Sequence, residues 1–315
     1  MTALSRLLEG SIDYAGLFPP AALELGAAVR QYASYRDGEQ SWALGRFVIP
    51  VSRLSELEAS AAGLMPPQPS ERPWRLTALV GLDTAADARV VGEFNCRHAA
   101  HGAPGAVTDA IEAKADTVAA VDRLLGSVPD YLQTYVEIPI TQDPTPLVEE
   151  IARHGERAKV RTGGITAAAF PTTADLARFI RVCAEANVPF KATAGLHHAL
   201  RGDYPLTYAP DSSRGRMFGF LNVFLAGAYA LVGMDAATLK HLLEETSPAA
   251  FDVTDDAITW RGHRLDLGAI RRARELVVAF GSCSFTEPTE ETARWGTVGQ
   301  SEARWGAGKH GEASL

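Results

Sequence analysis

The sequence predicts an α/β fold, a (β/α)8 barrel of the TIM type with a C-terminal α/β appendage. Three observations carry that expectation. Candidate strands alternate with candidate helices over roughly 230 residues, the usual span of such a barrel. Several strands place charged residues at alternate positions, which sends them to one face. Two consecutive strands have a lysine four residues ahead of a glycine: Lys159 in AKVRTGG and Lys191 in FKATAG. A buried strand is a costly place for an ammonium group, so the pair points to chemistry.

The elements follow in order. The first strand is expected at 11–17 and a helix at 21–35. RFVIP (46–50) is the second strand, with a helix at 54–62, and RLTALVG (75–81) the third, with a helix at 85–99. AIEAK (110–114) is the fourth, followed by a helix at 118–125. QTYVEI (133–138) is the fifth, followed by a helix at 146–154. The sixth strand is 158–162. Its helix is the clearest in the chain: Leu176, Phe179, Ile180, Cys183 and Ala184 share a face, Thr172 or Thr173 caps the start, and Asn187 ends it. The seventh strand is 189–194, and the eighth is expected at 218–224, leading into helix.

The run from Met217 to Met234 carries no charge, which is the lower edge of membrane-spanning length. It contains Asn222 and three glycines and follows a long α/β pattern. A buried strand running into a helix is the expectation, and no membrane span.

The barrel is thereby assigned to 1–233. After it, 236–245 reads as a helix, FDVTDDAITWRGHRLD as a small hairpin with Arg261–Gly262 at its turn, and 267–280 as a helix. This appendage, 234–288, is expected to pack on the barrel. The segment 289–315 is polar, glycine-rich and repeats ARWG at 293–296 and 303–306. It is expected to be mobile.

Of the 315 residues, 46% are hydrophobic and 22% charged, with mean hydropathy −0.04, as in a soluble globular protein. The net charge of −8 gives no reason to expect nucleic acid or an anionic membrane as partner. The three cysteines show no close spacing, which supports neither a disulfide framework nor a cysteine zinc site. MTALSRLLEG lacks the apolar core of a signal peptide, so a cytoplasmic protein is expected. The expected partner is a small-molecule substrate, with homo-oligomerisation left open.

Barrel strands pack their outer face under helices, so polar members point inward or lie at strand ends. That reasoning gathers Glu112, Lys114, Glu137, Lys159, Arg161, Lys191 and Asn222 in the lumen. Asp13 and Tyr14, at the end of the first strand, can reach the same place. In this fold the site lies at the C-terminal ends of the strands. A buried ion-pair network is the bland alternative, but apolar layers would fill a lumen at less cost.

IDYAGLFPPA, LTALVG, AIEAKAD, TYVEI, KVRTGG and KATAGL, in this order, resemble the deoxyribose-phosphate aldolase family of class I aldolases. The resemblance covers roughly residues 10–225. It implies that Lys159 is the Schiff-base lysine, that Lys191 favours its neutral amine by charge, and that Glu112 stands at a catalytic aspartate position. No cofactor is implied. The chain departs from the family at Arg161, at Gly164, at His197–His198 and in FLNVFLAG, which lacks the family's small anion loop. A sugar phosphate is therefore not the expected substrate, and Arg161 can hold a carboxylate instead.

Glu137 or Glu112 could move protons during dehydration of a carbinolamine. The loop from His197 to Arg216 is long for a barrel and reads as a lid or substrate reader. Two other functions stay open: a metal-dependent lyase or hydrolase using His197 or His198, and a ligand-binding barrel without catalysis. Cys283 and Glu287, in GSCSFTEP, are expected to form a turn that docks the last helix.

Overall fold

The computed structural model describes residues 2–295. At its centre seven parallel strands follow one another: β1 (Ile12–Tyr14), β2 (Leu44–Pro50), β3 (Trp74–Leu79), β4 (Ala106–Lys114), β5 (Gln133–Glu137), β6 (Arg157–Arg161) and β7 (Phe190–Thr193). An antiparallel hairpin of β8 (Gly202–Pro205) and β9 (Arg214–Met217) comes next. A three-stranded antiparallel sheet of β10 (Phe251–Val253), β11 (Ala257–Trp260) and β12 (His263–Asp266) follows. The last strand, β13 (Val277–Ser282), pairs in parallel with both β7 and β1 and closes the barrel. The fold is a (β/α)8 barrel.

The helices are α1 (Ala3–Leu8), α2 (Leu25–Asp37), α3 (Leu54–Ser60), α4 (Thr84–Ala99), α5 (Val118–Leu125), α6 (Thr145–Arg153), α7 (Thr173–Glu185), α8 (Phe220–Leu231), α9 (Ala236–Glu244), α10 (Leu267–Leu276) and α11 (Thr286–Trp295). Helix α7 shows how the sequence sets an element. The Thr172 hydroxyl accepts from the Asp175 N–H and satisfies one orphan donor of the first turn. Leu176, Phe179, Ile180 and Cys183 are buried on one face. Asn187, at φ 52°, takes the left-handed conformation beyond the end. At the turn between β11 and β12, Arg261 and Gly262 both have positive φ, as the tightest hairpin turn requires.

Three expectations are corrected here. The eighth barrel strand is not 218–224. That run turns into helix α8, whose residues from Phe220 to Tyr229 are all buried. Surrounded by α7, α9, α10 and β13, it is apolar on every side, and such a run has no period to separate strand from helix.

The true closing strand lies inside 267–280, which reads as one continuous helix but ends as a helix at Leu276. The boundary at 233 fails with it. The segment expected as an appendage at 234–288 contains the closing strand, so α9 and the small sheet are an insertion before the barrel closes. The expected mobile tail begins inside α11, where Thr289, Thr292 and Trp295 are buried. The rest of that tail, including the second ARWG, lies outside the described residues. Among the described residues no helix is long and apolar enough to cross a membrane.

Candidate active site

Strand register stacks the charged residues at one end of the lumen. Lys159 pairs with Lys191 across β6 and β7, and with Glu137 across β5 and β6. Glu137 in turn pairs with Lys114 across β4 and β5. The side chains form an alternating column. Lys191 Nζ lies 2.5 Å from Asp13 Oδ2 and 2.5 Å from Glu112 Oε1. Lys159 Nζ lies 2.6 Å from the other Glu112 oxygen and 2.8 Å from Glu137 Oε2. Lys114 ends the column 3.4 Å from Glu137 with its side chain 76% exposed, so it belongs to the surface. Asp13 also accepts from the Arg46 N–H at 2.7 Å, which ties the column to β2.

Burial and partners set the protonation. Burial raises the Glu112 carboxyl, but Lys159 and then Lys191 override it and leave it at about 2. Burial lowers the Lys191 ammonium, yet Asp13 and Glu112 hold it well above the usual lysine range. Lys159 moves the same way, raised by Glu112 and Glu137 against its burial. This alters the part expected of Lys191. Its charge is already balanced by two carboxylates, and Glu112 stands between it and Lys159. The resting state is therefore an ammonium at Lys159, with two carboxylates in proton-transfer reach.

Above the column lies a cavity of about 310 Å³ at the C-terminal ends of the strands. Glu112, Lys159 and Lys191 form its floor, and Phe18, Pro19, Pro20, Val48 and Leu79 line much of its wall. Leu206 and Met217 reach in from the β8–β9 hairpin, so the long loop after β7 folds over the cavity. The two glycines four residues beyond the lysines share one reason. A side chain at Gly163 would meet the Phe170 ring at 2.5 Å, and one at Gly195, where φ is +75°, would meet it at 3.0 Å. Phe170 packs over both turns and fixes the loops after β6 and β7.

Arg161 stands on the cavity rim. Its Nε donates to the Gly163 carbonyl at 2.9 Å, and it has no carboxylate partner among the described residues.

Three predicted residues lie elsewhere. Asn222 is on α8, where its Nδ2 donates to the Leu242 and Glu245 carbonyls and its Oδ1 accepts from the Arg201 N–H. It joins the insertion to the barrel. Strand alternation turns Tyr14 outward, among Tyr32, Tyr35 and Phe47, with its hydroxyl donating to Gln31. His198 stacks on Tyr204 and pairs with Glu291 at 2.7 Å, outside the cavity lining.

His197 does line the cavity, and it brings residues that sequence reasoning assigned to a docking turn. Its Nδ1 is 2.9 Å from Glu287 Oε2, and its Nε2 is 3.9 Å from Cys283 Sγ. Burial lowers the imidazole, but Cys283 and Glu287 raise it to about 9. Cys283 was legible only with the closing strand placed correctly, because it is the first residue beyond β13. The one grouping of three potential metal ligands among the described residues, Asp122, Glu150 and His154, lies on α5, on α6 and just beyond the end of α6, and does not include His197 or His198.

No family model matches the chain, and no curated protein matches it. Among solved structures it is similar to FabK from Thermotoga maritima, at 16% identity over 63% of this chain and 56% of that one, with a TM-score of 0.35. It is similar to nitroalkane oxidase from Streptomyces ansochromogenes, at 13% identity over 63% and 62%, with a TM-score of 0.31. A mutant of the same FabK aligns over 94% of this chain and 97% of that one, at 11% identity and a TM-score of 0.39. The chain spans less than two thirds of the first two. Likenesses this weak carry no argument about chemistry, and none of them supports membership of the deoxyribose-phosphate aldolase family.

Proposed function

We propose that the protein is an enzyme, a Schiff-base lyase that makes or breaks a carbon–carbon bond in a small anionic carbonyl compound. The observation that carries this is Lys159: an amine on the floor of a cavity with carboxylates at 2.6 and 2.8 Å. Glu137 is the better proton acceptor, because its second ammonium, Lys114, is exposed and 3.4 Å away, whereas Glu112 is buried between two ammonium groups at 2.5 and 2.6 Å. When a carbonyl carbon approaches, the Lys159 ammonium gives a proton to Glu137 and the free amine adds. The added nitrogen passes a proton to the oxygen to give the carbinolamine, Glu137 returns the first proton to that hydroxyl, water leaves, and the iminium accepts the electron pair of the bond being cleaved.

Arg161, the cavity's cation without a carboxylate partner, suits a carboxylate or another anionic group of the substrate. The cavity volume, near the low end for ligand sites, suits a compound of a few carbons.

Borohydride reduction in the presence of small aldehydes, ketones and 2-oxo acids, read by intact mass and peptide mapping, tests the reading. The expected result is a covalent adduct on Lys159 that disappears in Lys159→Ala. Full activity and undiminished trapping in that variant would sink it.

A further inference from the structure

The cavity wall carries a second set of reactive groups that the Schiff-base chemistry leaves unused. Strand β13 delivers Cys283 to the cavity mouth, and the turn after β7 delivers His197; both line the cavity. The two residues are 6% and 7% exposed. His197 has one ring nitrogen on each partner, with Sγ of Cys283 at 3.9 Å from Nε2 and Glu287 of α11 at 2.9 Å from Nδ1. Tyr208, from the loop between β8 and β9, donates to the same Glu287 oxygen at 3.1 Å, and its hydroxyl lies 3.8 Å from Sγ.

A nucleophile facing a base, with the base held by a third group, is the arrangement covalent catalysis requires, and it is commonly looser without substrate. Docking of α11 on the barrel is served by Glu291 on His198 and the Ala199 N–H and by Glu287 on His197. It gives no reason for a thiol on the cavity wall facing the other ring nitrogen.

We propose that Cys283, His197 and Glu287 form a nucleophilic triad that takes the acyl group of a small ester or thioester onto Cys283. The inference does not depend on the Schiff-base reading. Sγ bonds to the acyl carbon, its proton ending on His197 Nε2, with Glu287 fixing the ring. The tetrahedral adduct collapses by breaking the bond to the alcohol or thiol leaving group, which departs with that proton. Water then adds to the thioester carbon and gives a proton to His197. The carbon–sulfur bond breaks, Cys283 regains the proton, and a carboxylic acid is released. The apolar wall around Phe18, Val48 and Leu79 accommodates a short acyl chain.

The test uses the full chain, p-nitrophenyl acetate as acyl donor, acid quenching and peptide mapping of each cysteine and of Lys159. Cys96 is exposed and Cys183 buried, so one serves as an ordinary thiol standard and the other reports unfolding. The expected result is acetylation of Cys283 at least about 100-fold faster than Cys96, reversed by hydroxylamine, and slowed about 100-fold or more in His197→Asn. Glu287→Gln slows it by a smaller factor. If deacylation outruns capture, p-nitrophenolate turnover becomes the readout, and it disappears in Cys283→Ser.

Equal labelling of Cys283 and Cys96, an unchanged rate in His197→Asn, or an acetyl group only on Lys159 would each overturn the proposal. If His197→Asn exposes Cys183, the wild-type ratio of Cys283 to Cys96 and the Glu287→Gln rate decide. Borohydride trapping on Lys159 is read separately in the wild-type protein, so failure of one reading leaves the other standing.

Discussion

Lys191 is fully buried, and two carboxylates 2.5 Å away balance its charge. Removing one partner of a buried ion pair leaves the others unpaired in a low-dielectric interior, at about 3–5 kcal/mol. Lys191→Met is expected to lower the unfolding free energy by about that amount in urea titration. Adding Asp13→Asn and Glu112→Gln should recover much of it, and a loss under about 1 kcal/mol would show that the column is not a coupled network. Asn222 makes a second residue-scale case. Its amide satisfies three buried backbone groups, so Asn222→Ala is expected to lower stability by about 1–3 kcal/mol with substrate KM unchanged. A raised KM at unchanged stability would return Asn222 to the site. The sequence reveals that Asn222 is polar in an apolar run, but not which backbone groups it meets, because those lie in a distant insertion.

At the scale of elements, the contact between α8 and β13 decides how the barrel closes. A Cβ at Gly227 would stand 2.1 Å from Val277 Cγ2. On an exposed helix Gly→Ala gains up to about 1 kcal/mol. Here Gly227→Ala is expected to lose about 1–3 kcal/mol from overpacking. Chemical denaturation of Gly227→Ala, Val277→Ala and the double variant checks this: the double variant should regain stability that the sum of the single changes does not predict.

The same elements explain what was legible. Strands β4 and β6 announce themselves by charges at alternate positions, Glu112 with Lys114 and Lys159 with Arg161. Strand β13 has Ala279 and Gly281 at the inward positions beside Lys191 and Thr193. Gly281 also lies against the Lys191 chain. Those positions are small to make room for the lysine, so the strand carries no polar signal. It continues from an amphipathic helix without a breaker.

For the whole molecule, the ionised groups set opposite limits on stability with pH. The folded-state value of Glu112, about 2, lies below its ordinary 4.5. Its stabilisation is therefore complete above pH 4.5 and lost as pH falls toward 2. The folded-state value of His197, about 9, lies above the ordinary 6.5. Its contribution is complete below pH 6.5 and lost as pH rises through 9. A melting-temperature profile should fall at both ends. His197→Gln should flatten the alkaline limb and leave the acid limb in place. An alkaline limb unchanged by that substitution would mean that the contacts among His197, Glu287 and Cys283 do not stabilise the fold.

The sequence by itself determined the barrel class, seven of its strands and the inward charges of β4 to β7, because alternation and local propensity act within a few residues. Only the tertiary structure decided which strand closes the barrel, since an apolar run looks the same as a buried helix or a buried strand. The same closure decided that Lys159 rests between two carboxylates and that Cys283 and His197 meet at the cavity. These depend on side chains far apart in the chain, and their energies come from burial and distance, which no local pattern encodes.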